Sequence, residues 1–101
     1  MDVNKSLRLV VDTGKVVLGT DRAMKTALLG NAKLIVIASN MARDSRRDLE
    51  QYCRLAGIPT MEFNGTSIEL GTVCGKPFPI SALTVLEEGE SGILKERGDA
   101  S

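Results

Sequence analysis

Residues 14–40 read GKVVLGTDRAMKTALLGNAKLIVIASN, and the fold class follows from how this stretch parses. Residues 15–18 are a short apolar run, and Gly19-Thr20 is a turn able to open a helix. Ala23, Met24, Ala27 and Leu28 recur at helical spacing. That spacing predicts a helix over 21–29 with those four buried and Arg22, Lys25 and Thr26 more exposed. Gly30 stops it, and the unbroken apolar run at 33–39 predicts a buried strand. A strand–helix–strand unit of this length favours two parallel strands in one sheet. Both strand exits, Gly19-Thr20 and Ser39-Asn40, then fall on the same carboxyl-end edge, where open α/β sheets bind ligands.

Working outward, Val3, Leu7, Val10 and Val11 mark one face of a first helix, capped by Asp2 and ended by Thr13-Gly14. After Asn40, Leu49, Tyr52, Cys53 and Ala56 form the buried stripe of a third helix. Asp44 or Ser45 is its expected N-cap, and Gly57 with Pro59 ends it. Residues 60–63 are a short strand and Asn64-Gly65 a turn. Thr66-Ser67-Ile68-Glu69 fits a capping box, which gives Glu69 a structural task. The short helix that follows runs through Leu70, Val73 and Cys74 and stops at Gly75. Residues 76–79, Lys-Pro-Phe-Pro, are a stiff loop. Residues 80–86 are the last strand, with Ala82, Thr84 and Leu86 on one face. A terminal helix is expected around 91–94, then a frayed polar tail over 95–101. Alternating helices and strands of this kind build an α/β fold, a three-layer α/β/α sandwich. No repeat or linker divides residues 1–101, so one domain is expected.

Composition narrows the function. Thirteen basic and 13 acidic residues balance to zero net charge, whereas nucleic-acid binders usually carry a basic excess. Any such role therefore needs a local patch. No apolar run approaches membrane-spanning length and no secretion signal opens the chain, so neither a membrane nor a secreted role is expected. Cys53 and Cys74 stand alone, without C-x-x-C spacing, and read as reduced buried thiols. Histidine is absent, removing the commonest general base and metal ligand. Phosphate-loop, dinucleotide and nucleophile-elbow motifs are missing as well. The pairs Asp44/Asp48 and Glu87/Glu88 sit among basic residues or in a polar turn. Arg43, Arg46 and Arg47 read as a solvated helix face. The expectation is no enzyme, no cofactor and no metal.

What remains is a binding edge. The Gly19-Thr20 amides at a helix N-terminus suit phosphate, with Arg22 and Lys25 beside them. Asn40 can give and accept hydrogen bonds to a base edge. Phe78, between two prolines, either stacks on a ligand or tucks back over the core. Phosphate cradle, amide and ring together suit folded or single-stranded RNA. A small-molecule or nucleotide-binding module using the same edge, and a protein–protein scaffold using an edge strand, are the competing classes.

Several spaced blocks carry a resemblance over nearly the whole chain: GKVVLGT, LLGNAKLIVIASN, DLEQYCRLAGIP, FNGTSIELGTVCGKP and SALTVLEEGESGIL. Together they resemble the archaeal L-thirty-e family of large-subunit ribosomal proteins, within the kink-turn RNA-binding superfamily. The resemblance implies a mixed four-stranded sheet of order 1-4-2-3, with strand 4 antiparallel between strands 1 and 2. Strand 4 would then start where strands 1 and 2 end, bringing the 76–79 loop beside Gly19 and Asn40. The implied partners are a kink-turn-like rRNA element and the large ribosomal subunit in the cytoplasm, with the isolated protein a monomer. Carried over by position, Gly19 and Thr20 approach RNA through the backbone, and Asn40 contacts a base or sugar at the bend. Phe78, in the Lys76-Pro77-Phe78 loop, lies against a base, and Lys25 and Lys76 meet phosphates. Asp21 departs from the pattern, since a basic or amide residue often stands there; Arg22 supplies charge from the next position. Recognition of a bent shape makes zero net charge acceptable.

Overall fold

The computed structural model describes residues 3–94. Eight elements follow one another: α1 (Val3–Thr13), β1 (Lys15–Leu18), α2 (Thr20–Leu29), β2 (Leu34–Ala38), α3 (Arg43–Ala56), β3 (Thr60–Phe63), α4 (Ser67–Val73) and β4 (Ala82–Glu87). The sheet order is β1-β4-β2-β3. β4 runs antiparallel to both neighbours, with Thr84 opposite Val17 on one side and Ile35 on the other. β3 joins β2 in parallel, Val36 facing Met61. The two strands of the organising stretch are therefore parallel in direction, as expected, but β4 lies between them. The expected Asp2 cap and the tail over 95–101 lie outside the described residues. Of the expected terminal helix, only Ile93 and Leu94 are helical within them.

The sheet is covered on both faces because alternate strand residues point to opposite sides. Leu34, Val36, Leu83 and Val85 pack with Leu7 and Val10 of α1 and Leu70 and Cys74 beside them. Ile35, Ile37 and Ala82 pack with Ala23 and Ala27 of α2 and Leu49 and Cys53 of α3. This is the three-layer sandwich. β2 is buried along its whole length, which accounts for its unbroken apolar sequence. Complete burial of each leucine contributes about 1.5–3 kcal/mol. Thr84 is the exception in this interior: its hydroxyl is buried with no hydrogen-bond partner among the described residues.

Several local expectations change: Val3, expected on the buried face of α1, is 37% exposed, and the last strand starts at Ala82 rather than at residue 80. Leu28 is 66% exposed, because Ala23 and Ala27 make the close contact and the next residue is turned about 100° away from them. It lies with Tyr52, Leu55 and Ala56 in a shallow groove between α2 and α3. Ala56, on the last turn of α3, is exposed as well. Helix α3 also starts earlier than expected, with Ala42 at the N-cap and no side-chain cap, so Asp44 falls inside the first turn.

Candidate nucleic-acid interface

One rim collects the carboxyl ends of β1, β2 and β3 and the start of β4. The Gly19 N–H donates to the Ala82 carbonyl at 2.9 Å, and the Ala38 N–H to the Ser81 carbonyl at 2.9 Å. These bonds clamp both strand exits against the first residues of β4. Ser39 is held twice by the Gly65 carbonyl, from its N–H at 2.9 Å and its Oγ at 2.8 Å. The next residue, Asn40, accepts from the Ser67 N–H through Oδ1 at 2.8 Å. Ser67 in turn accepts from the Ile80 N–H at 2.9 Å. A continuous chain of hydrogen bonds thus runs from Asn40 across α4 to the loop that carries Phe78.

Each candidate residue has a definite place on this rim. Gly19 takes φ +110°, a value that side-chain-bearing residues rarely adopt, and opens α2 without any side-chain cap. Thr20 is half-buried in the first turn, and Asp21 beside it is exposed. Arg22 and Lys25 are exposed and make no ion pair among the described residues. Lys76 is half-buried, while Pro77 and Phe78 are exposed. Phe78 shows 48% of its surface, so its ring is not tucked over the core. Its backbone is anchored instead, the Phe78 carbonyl lying directly over Gly71. The loop forms one wall of an open groove of about 240 Å³ lined by Ile68, Thr72, Lys76, Pro77, Phe78 and Pro79.

The capping box forms as expected. Thr66 Oγ1 accepts from the Glu69 N–H at 3.3 Å, and Glu69 Oε1 accepts from the Thr66 N–H at 3.2 Å. Glu69 is thereby committed to the helix start.

Several other ionisable groups are held in structure. Arg46 binds Glu62 at 3.0 Å and Glu50 at 3.4 Å, and its hydrogen bond to Glu62 raises its already high pKa further. Arg47 lies between Asp44 and Asp48. Burial pushes the Cys53 thiol up and the Cys74 thiol up to about 11, so neither is a thiolate at neutral pH. Among the described residues no helix is long and apolar enough to cross a membrane.

The model of the ribosomal protein L7Ae/L30e/S12e/Gadd45 family matches residues 1–95. This chain belongs to that family. Within the L7Ae/L30e family, it is 50% identical over 95 residues to the large ribosomal subunit protein eL30 of Methanocaldococcus jannaschii, spanning 94% of this chain and 86% of that one. It is 46% identical over 98 residues to eL30 of Methanothermobacter thermautotrophicus, spanning 97% and 100%. The L30e character read from the sequence blocks agrees with these relatives. A solved protein of unknown function from Bacillus halodurans has the same fold, with a TM-score of 0.81 over 97% of both chains and 20% identity.

Sequence reasoning about this L7Ae/L30e-family chain missed three residues on or beside the rim. Ile68 is 68% exposed on the groove wall facing the Phe78 loop. Its place in the capping box, between the N-cap and Glu69, was the available signal, since the first turn of a capped helix is often solvent-facing. Ser67 enters the sequence pattern only as part of that box, yet its N–H is what Asn40 engages. Arg43 reads in sequence as one group with Arg46 and Arg47, but it alone of the three makes no ion pair among the described residues. No pattern of spacing separates it from its neighbours.

Proposed function

We propose that this chain is a structural constituent of the large ribosomal subunit, binding a kink-turn-like rRNA element through the rim at Gly19, Asn40 and Phe78. The reading rests on one observation above all. Three loops distant in sequence are hydrogen-bonded to the first residues of β4 or to their immediate neighbours, making one surface with unpaired cations and an exposed ring. Phosphate contacts fix position and base contacts fix identity. Arg22, Lys25 and Lys76 serve the first purpose, and Asn40 and Phe78 the second. The Gly19 and Thr20 backbone comes close to RNA because Gly19 has no side chain in the way. Asp21 is exposed and would repel a phosphate placed directly against it. The phosphate path on this side therefore runs toward Arg22 and Lys25. Pro77 and Pro79 stiffen the loop, so Phe78 loses little freedom on binding.

In this reading residues 1–101 act as one domain, monomeric when isolated, on the ribosome in the cytoplasm, with no reaction catalysed and no cofactor needed. The eL30 names of its relatives support the ribosomal assignment. A gel shift of purified protein on a kink-turn hairpin against a straight duplex tests it. Preference for the hairpin is the expected result; equal binding to both, or to neither, overturns the proposal.

A further inference from the structure

An asparagine side chain carries one acceptor oxygen and one donor nitrogen, and it can present either to a ligand. A backbone N–H removes that freedom, because only the oxygen can receive it. Ser67 is the first residue of α4, so its N–H has no carbonyl partner within the helix. The capping box satisfies the N–H groups of Thr66 and Glu69. The Ser67 N–H goes instead to Asn40 Oδ1 at 2.8 Å. Asn40 is held at its base too, since Ser39 immediately before it is tied twice to Gly65. With its oxygen turned to α4, the exposed amide presents its NH2 group to the rim.

We infer that the Ser67 N–H is an orientation lock that makes Asn40 a donor-only reader, selecting a keto oxygen, unprotonated ring nitrogen or phosphate oxygen and rejecting an exocyclic amine or ring N–H. This rests on the proposed RNA-binding role of the rim. Ser67 is a positioning residue in this scheme, acting through Asn40. The lock contributes affinity as well as selectivity: an amide free to rotate must be ordered again on binding and accepts either kind of partner.

Two substitutions separate this role from a merely structural one. Asn40→Asp keeps an oxygen for the Ser67 N–H and replaces the outward donor with an acceptor. Ser67→Pro deletes the N–H at a helix position that suits proline. Thr66 before it, at φ −78° and ψ 171°, already has the extended conformation that a following proline requires. Both variants are compared with Asn40→Ala by thermal melting and by titration of a labelled kink-turn hairpin. Asn40→Asp is expected to melt with the wild type yet lose about tenfold or more in hairpin affinity. That loss should persist at high salt, where simple charge repulsion is screened. Ser67→Pro is expected to lose part of what Asn40→Ala loses, and the double variant no more than Asn40→Ala alone. Hairpin binding by Asn40→Asp, or by folded Ser67→Pro, at wild-type strength overturns the lock while leaving the RNA reading intact. Should Ser67→Pro not fold, Asn40→Asp alone decides. A wild-type protein that fails to distinguish hairpin from duplex overturns the RNA reading and the lock with it.

Discussion

The Phe78 carbonyl lies over Gly71, in the space a side chain on that residue would occupy. The loop bearing the exposed ring is therefore set by the lack of a Cβ on α4. Gly71→Ala should push the loop away, costing about 1–3 kcal/mol of stability as overpacking does. Hairpin binding measured on the folded fraction should fall as well. Chemical denaturation together with a gel shift checks both; unchanged binding would place Phe78 outside the contact surface.

Asn40 serves the fold as well as the proposed contact. Asn40→Ala strands the Ser67 N–H and should lower stability by about 1 kcal/mol, the usual size for a lost cap. It should also weaken hairpin binding by about 1–3 kcal/mol. A thermal melt showing outright unfolding would assign Asn40 to structure alone.

Thr84 carries a buried hydroxyl with no partner among the described residues, opposite Val17 and Ile35. Thr84→Val keeps the shape and removes the desolvated group, so it should raise stability by about 1 kcal/mol. Urea denaturation gives the answer; a loss would mean the hydroxyl is satisfied in solution.

Cys74 gives a pH dependence of known sign. Burial raises its thiol from the ordinary 9.0 to about 11, against a smaller opposing pull from Lys76 and Arg8. The folded value lies above the unfolded one. The thiol therefore contributes stability that is complete below pH 9.0 and is lost as pH rises toward about 11. Cys74→Ala removes the titrating group. The wild-type denaturation midpoint should consequently fall more steeply across that window than the variant's.

The salt dependence of RNA binding should be shallow. The rim offers Arg22, Lys25, Lys76 and the unpaired Arg43, so a log–log slope of about −2 to −4 is expected. A slope implying ten or more phosphate contacts would point to a different surface.

Elements and layers were legible in the residues because they rest on local physics. Alternation and helical spacing reflect which side of a strand or helix avoids water. Gly30 and Gly57 end helices by adopting φ of 74° and 73°, and the Thr66–Glu69 box starts one by satisfying its own N–H groups. These are decisions taken within a few residues. Leu28 escapes the pattern because periodicity identifies an apolar face but not how wide the contact beneath it is. That width depended on Ala23 and Ala27, whose small side chains confine the contact to a narrow strip.

The sequence by itself determined the kinds of chemistry available: no histidine base, two buried thiols, a glycine that must open α2, and an amide and a phenylalanine in loops. Spacing and periodicity could not determine their mutual placement, which depends on pairings between strands far apart in the chain and was implied only by the family resemblance. Only the insertion of β4 between β1 and β2 brings Gly19, Asn40 and Phe78 to one rim. Likewise, only the packed fold decides which end of the Asn40 amide faces outward, because the N–H that fixes it comes from a residue 27 positions later.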